Sequence, residues 1–295
     1  MYVVAGVTGN TGSIVARELL AQGEQVRVIV REERKGAAWR ERGAQVAVAD
    51  LGDAAALTRA LTGAKGAYLL VPPNVAAPDV LADRARVADA LAKAVRDAGV
   101  PHVVMLSSVA AHRPRGTGPI VTVHDAEAKL RAATRGALTF LRAAYFMDNW
   151  GASVQAVTQQ GVLPTFLPPG LPFAQVSTED IGRTAARLLR EPPAPGSVRV
   201  VELEGPEAAS AEDVARAFAA ATGKPVNVVA LPATTAAQTL QGLGLGASMA
   251  GLYQEMFEGL ASGVLAFEGG PGTVHVRGQV PLAEAVRALV APRAS

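Results

Sequence analysis

Short, wholly apolar runs alternate with longer amphipathic stretches through the first half of the chain. Tyr2 to Ala5, Gln25 to Val30, Gln45 to Ala49, Ala67 to Val71 and Val103 to Leu106 are rich in Val and Leu. Runs apolar along their whole length predict strands buried on both faces, as in a parallel sheet. Between them Ser13 to Gln22, Ala54 to Leu61 and Asp79 to Ala98 carry helical spacing. The last places Leu81, Val87, Leu91 and Val95 toward one face and closes at Gly99, with Pro101 beyond it. Repeated β-α-β units of this kind predict an α/β fold with a Rossmann-type, doubly wound parallel sheet.

From Asn149 onward Gly and Pro punctuate the chain more often, as in Leu167-Pro168-Pro169-Gly170. Helical segments are expected over Thr178 to Arg190, Ser210 to Thr222 and Thr234 to Ser262, and strands over Arg199 to Leu203 and Val226 to Leu231. This predicts a division into residues 1–150 and a smaller α/β C-terminal substrate lobe over 151–295. The 177–190 helix is expected to return to the first sheet. The 234–262 stretch is apolar at Leu240, Leu243, Leu245, Met249, Leu252, Met256, Phe257 and Leu260, yet broken by Gly242, Gly244 and Gly246. It reads as core packing, a mobile lid or a contact between subunits.

Composition narrows the class. The chain has 295 residues, 49% apolar and 18% charged, with Lys+Arg 28 against Asp+Glu 26. No Lys/Arg cluster stands out, so neither nucleic acid nor an anionic membrane is an expected partner. No run approaches the roughly 18 consecutive apolar residues of a spanning helix. The first strand is expected from Tyr2, so neither a signal peptide nor a location outside the cytoplasm is expected. Cys is absent, which excludes disulfides, thiolate catalysis and Cys-ligated metals. His102, His112 and His275 have no metal-ligand spacing.

The most informative local signal is Gly6-Val7-Thr8-Gly9-Asn10-Thr11-Gly12, between the first strand and the first helix. Such a loop turns tightly, lets backbone approach a pyrophosphate and aims helix N–H groups at it. An NAD site usually places a carboxylate after the second strand; here Arg31 stands there, followed by Arg34 and Lys35. A guanidinium at that point favours a ribose 2′-phosphate, hence NADP(H) over NAD(H). Asp50 closes the third strand. Residues 1–150 are therefore read as the NAD(P)-binding domain, with no flavin and no metal.

The G-x-x-G-x-x-G spacing resembles the extended and atypical branches of the short-chain dehydrogenase/reductase superfamily. Most of its enzymes use a Tyr-x-x-x-Lys dyad on one helix face to move the substrate proton. Here Tyr2, Tyr68, Tyr145 and Tyr253 are followed four residues on by Gly6, Pro72, Asn149 and Phe257. The dyad is absent, which disfavours ordinary alcohol/ketone chemistry and sugar-nucleotide epimerisation. Ser107 and Ser108 lack a His/Asp arrangement suggesting a nucleophile.

What remains resembles the NmrA-like branch. Its loop, its Arg-x-x-x-Lys at Arg31 and Lys35, and its adenine-side pair at Asp50 and Leu51 are all matched. So are Ser107-Ser108, His124, the stretch Leu141 to Asn149, and Ser177 to Gly182. Ala143 replaces a Pro of that stretch, and Glu127 stands one place before the family's Glu. The resemblance implies a small NAD(P)H:quinone oxidoreductase or azoreductase-like enzyme. A quinone accepts hydride without a strong general acid, so the missing dyad is no obstacle. The cofactor residues implied are Gly6, Thr8, Gly9, Asn10, Thr11, Gly12, Arg31, Lys35, Asp50, Leu51, Val71, Pro72 and Ser107. Ser108, His124 and Tyr145 are the catalytic candidates, and Phe146, Asn149 and Trp150 the substrate candidates. Phe146 and Trp150, four apart, also fit a core stripe. A small-molecule acceptor and a homodimer are expected. The alternative is a non-catalytic NADP(H) sensor acting through a protein partner; a reductase of another conjugated or imine-type substrate is a third possibility.

Overall fold

The computed structural model describes residues 1–291. Its strands are β1 (Tyr2–Val4), β2 (Val26–Val30), β3 (Gln45–Val48), β4 (Gly66–Leu69), β5 (His102–Ser108), β6 (Ala137–Ala143), β7 (Tyr145–Phe146), β8 (Val162–Thr165), β9 (Gln175–Val176), β10 (Val198–Glu204), β11 (Asn227–Ala230) and β12 (Thr273–Arg277). The helices are α1 (Asn10–Ala21), α2 (Ala37–Glu41), α3 (Ala54–Leu61), α4 (Val80–Ala98), α5 (Val121–Ala133), α6 (Val154–Gln160), α7 (Thr178–Arg190), α8 (Ala211–Thr222), α9 (Ala236–Gly242), α10 (Ala247–Ala261) and α11 (Leu282–Val290).

Eight strands form one sheet in the order β12-β10-β6-β5-β4-β1-β2-β3, and every pairing in it is parallel. Strand succession reverses between β1 and β4, and the crevice outside the carboxyl ends at such a reversal is where open α/β sheets bind ligands. Alternate residues serve opposite faces. Val3, Val103 and Met105 pack under Leu57, Leu91 and Leu130 of α3, α4 and α5. Val4, Val28 and Val104 pack under Leu19 of α1 and Ile181 and Leu189 of α7. β10 and β12 lie beyond residue 150, so the sheet draws on both sides of that division. β6, β12 and α11 were not among the expected elements.

α7 packs beside α1 against one face of the eight-stranded sheet. The Ser177 hydroxyl caps α7 by accepting from the Asp180 amide at 3.0 Å, and the buried Asp180 carboxylate accepts from the amides of Gln279 and Val280 at 3.0 Å each. A smaller core of Trp150, Leu163, Val214, Phe218 and Val286 joins β8, α8 and α11. Among the described residues no helix is long and apolar enough to cross a membrane.

Three local expectations change. α1 begins at Asn10, because Gly9 is extended and serves as its N-cap. The 234–262 stretch breaks into α9 and α10 around Gly244, whose φ of 92° ends the first helix. On α4 the buried face runs through Val80, Arg84, Val87, Leu91 and Val95, leaving Leu81 44% exposed.

His102 starts β5 and is 2% exposed. Its ring lies 3.1 Å from the Thr139 hydroxyl and 3.4 Å from the Leu189 carbonyl. Burial pushes its pKa from 6.5 down to about 4, only partly opposed by the Leu189 carbonyl. The unfolded chain therefore binds a proton that the folded chain refuses between those values. Above pH 6.5 this costs nothing; as pH falls toward 4 stability should drop by up to about 3 kcal/mol. Urea unfolding at neutral and acidic pH should show that slope flattened in His102→Gln; an unchanged slope would exclude His102 as its source.

Candidate functional site

Two hollows open along the carboxyl ends of the strands. The first, about 240 Å³, lies over β1 to β4 and is lined by Gly6, Thr8, Arg31, Lys35, Asp50, Leu51 and Pro72 with Asp83, Arg86 and Val87 of α4. Its floor is the glycine loop. Gly6 has a φ of 71°, a conformation open to glycine at little cost. A Cβ on Gly12 would sit 2.5 Å from the carbonyl oxygens of Ala5 and Gly6, so α1 approaches β1 as closely as it does because that position has no side chain. Gly9 caps α1 without a side-chain acceptor, leaving first-turn N–H groups without intrahelical partners. These donors and the positive helix end fit the phosphates of a dinucleotide.

Arg31 is exposed at the lip, while Lys35 is held by Glu32 at 2.8 Å. Lys35 and then Arg34 hold the Glu32 carboxyl below the usual range, so it stays ionised and paired. Arg31 is thus better placed than Lys35 to meet an added phosphate. The Asp50 carboxylate accepts from the Gly52 amide at 2.7 Å, fixing the turn after β3.

The second hollow, about 670 Å³, lies beyond β5 and β6 under α9 and α10. Ser108, Tyr145, Phe146 and Asn149 line it together with Arg84, Tyr253 and the apolar Leu240, Leu245, Met256, Phe257 and Leu260. The 234–262 stretch therefore roofs this cavity, and Ser248 anchors the roof by accepting from the Val80 amide at 3.1 Å. Burial, reinforced by the neighbouring Tyr253, raises the Tyr145 pKa, against a hydrogen bond with Asn149 that lowers it. The phenol stays a protonated donor across the neutral range.

Several expected site residues do not line either hollow. Trp150 is 6% exposed and its indole N–H donates to Gln175 Oε1 at 2.8 Å inside the lobe core, so of the pair four apart only Phe146 reaches the cavity. The His124 ring bonds the Ala111 carbonyl at 2.8 Å and borders a separate polar recess with Glu127, Arg142 and Glu268. Ser107 is buried and donates to Glu127. Val71 packs against the apolar core. Thr11 is buried and accepts from the Tyr68 hydroxyl at 2.9 Å. Of the nucleotide-loop residues, Gly9 and Asn10 are exposed.

Arg84 and Tyr253 were missed. For Arg84 a signal existed: the Val80, Arg84, Val87, Leu91 spacing puts a guanidinium on an otherwise apolar helix face. Tyr253 lay within a stretch read as generally apolar, and only the packing of α10 against residues 118–120 brings it to the cavity that Tyr145 lines.

The NmrA-like family model matches residues 2–262. The chain belongs to the NmrA-like family. It is 29% identical over 259 residues to the NAD(P)H azoreductase of Xenophilus azovorans, covering 87% of this chain and 86% of that protein. It is 28% identical over 267 residues to quinone oxidoreductase 2 of Escherichia coli, with 90% of each covered. Among solved structures, the NADPH complex of an NADPH-dependent quinone oxidoreductase from Escherichia coli aligns with a TM-score of 0.81 at 27% identity, over 98% of this chain and 99% of that one.

Proposed function

We propose that this NmrA-like protein is an NADPH-dependent oxidoreductase that passes hydride to a quinone or a similar conjugated acceptor. The observation that carries the reading is the adjacency of the two hollows. A phosphate-receiving loop with an exposed Arg31 opens beside an apolar cavity whose wall presents hydroxyl donors. The family relatives named as azoreductase and quinone oxidoreductase support the same chemistry.

Bound NADPH would supply the hydride. The glycine loop and α1 would hold its phosphates, Arg31 its 2′-phosphate and Asp50 with Leu51 its adenine side. Around the acceptor, Leu245, Met256, Phe257 and Leu260 exclude water and give a flat ring apolar contact. Negative charge developing on the acceptor oxygen is met by the protonated Tyr145 hydroxyl, with Ser108 and Asn149 as further donors on the same wall. Such a site needs no lysine to lower the tyrosine's pKa, because the acceptor's oxygen is a weak base that hydrogen bonds and water can serve.

NADPH consumption over quinones, azo dyes and activated alkenes tests this, with turnover expected for quinones. Tight NADPH binding with no turnover of any acceptor would instead favour a nucleotide sensor. For the nucleotide, Arg31→Ala should weaken NADPH binding about 10- to 100-fold, the worth of a charge-assisted hydrogen bond, and change NADH binding by less than about twofold. Fluorescence titration with both nucleotides reads this directly. Equal losses for the two would remove Arg31 from the 2′-phosphate.

A further inference from the structure

The acceptor cavity carries a charge that a neutral quinone does not use. Arg84 is 7% exposed on the buried face of α4 and lines the cavity wall. Its Nη1 donates to the Pro119 carbonyl at 3.3 Å and to Thr122 Oγ1 at 3.0 Å, but its Nε is buried with no partner. Among the described residues no carboxylate lies within 4.0 Å of its guanidinium. The adjacent Asp83 carboxylate is engaged instead by Asn74 at 3.0 Å and Arg86 at 3.1 Å. Arg142, the other deeply buried arginine, differs in having two carboxylates, Glu127 and Glu268.

A cation withdrawn from water is destabilising unless paired or fully hydrogen-bonded, and burial does lower the pKa of Arg84. The fold itself has little need of it. The Pro119 carbonyl already receives the Thr122 hydroxyl at 2.7 Å, and the flanking Val80 and Val87 are buried apolar residues. An uncompensated guanidinium at the edge of an apolar hollow is a site for an oxyanion.

We propose that Arg84 selects the acceptor by charge: the cavity takes a conjugated ring bearing an acidic substituent, a carboxylate, sulfonate or phosphate, which pairs with its guanidinium. The ring lies against the apolar roof, and Tyr253 on the same wall adds a hydroxyl. The selection rests on the reading of this cavity as the acceptor site, so binding and turnover are tested apart.

Binding uses probes that cannot be reduced. Naphthalenesulfonate and naphthol, of similar shape, are titrated by calorimetry into protein saturated with NADP+, for wild type, Arg84→Met and Arg84→Lys. Wild type is expected to prefer the sulfonate, and Arg84→Met to lower that preference about 10- to 100-fold. Arg84→Lys should keep part of it, since charge survives but the planar fork does not. Naphthoate and naphthyl phosphate rank the three anions. Absence of a preference in wild type, or equal losses of both probes in Arg84→Met, overturns the proposal. If Arg84→Met fails to fold, a full sulfonate preference in a folded Arg84→Gln does the same.

Turnover compares naphthoquinone with its sulfonated analogue. The ratio of their kcat/KM values should fall in Arg84→Met by the factor seen in binding. Protein that binds the sulfonate through Arg84 yet reduces neither quinone would overturn the proposed activity and leave the anion site standing.

Discussion

Replacing Gly12 with valine is expected to cut NADPH affinity on the order of 100-fold and to destabilise the fold by about 1–3 kcal/mol. The added Cβ would lie 2.5 Å from the carbonyl oxygens of both Ala5 and Gly6, and those atoms belong to β1 and its turn rather than to a flexible side chain. α1 must then move away from β1. Its first-turn N–H groups move with it, and losing even one or two charge-assisted bonds to phosphate accounts for the affinity loss. Isothermal titration with NADPH and a thermal melt read the two effects. Retention of wild-type affinity would show that the helix end does not hold the phosphates.

The largest stability effect is expected at Glu127. Its carboxylate pairs with Arg142 at 2.8 Å, both side chains being under 10% exposed. It also accepts from Arg142 Nε at 3.0 Å and from the Ser107 hydroxyl. Burial alone would depress the Arg142 pKa, but Glu127 and then Glu268 outweigh it and hold the guanidinium charged. Glu127→Ala leaves that charge buried with the half-exposed Glu268 as its remaining partner. The cost should be about 3–5 kcal/mol, the usual result of breaking a buried pair from one side. Replacing both members, Glu127→Leu with Arg142→Met, should recover much of it, because no buried charge is then stranded. Urea unfolding of the single and double variants decides; a single variant as stable as wild type would mean Arg142 finds water.

Legibility in the sequence followed the range over which each feature is determined. The glycine loop, Arg31 and Asp50 are legible because each belongs to one β-α turn, and the residues that need the special backbone are adjacent in the chain. The alternation of apolar runs and amphipathic stretches shows the parallel sheet for the same reason. Trp150 and His124 are different. A tryptophan four residues from Phe146 suggests a shared face, but residues 147–153 form a 3₁₀ segment rather than an α-helix, and Trp150 turns to Gln175. His124 sits on the expected helix, yet its ring is drawn to the Ala111 carbonyl, a contact set by the loop after β5. β12 was hidden because an edge strand is half exposed: Val274, its second residue, is 47% exposed, and the flanking glycines read as loop.

α4 is the element common to both hollows, with Asp83, Arg86 and Val87 on one and Arg84 on the other. The remaining lining of the first hollow comes from residues 6–74, that of the second from residues 108–265. Substitutions in the roof can therefore reshape the second hollow without touching the lining of the first. α4 is the exception, because a shift of that one helix would move lining residues of both hollows at once.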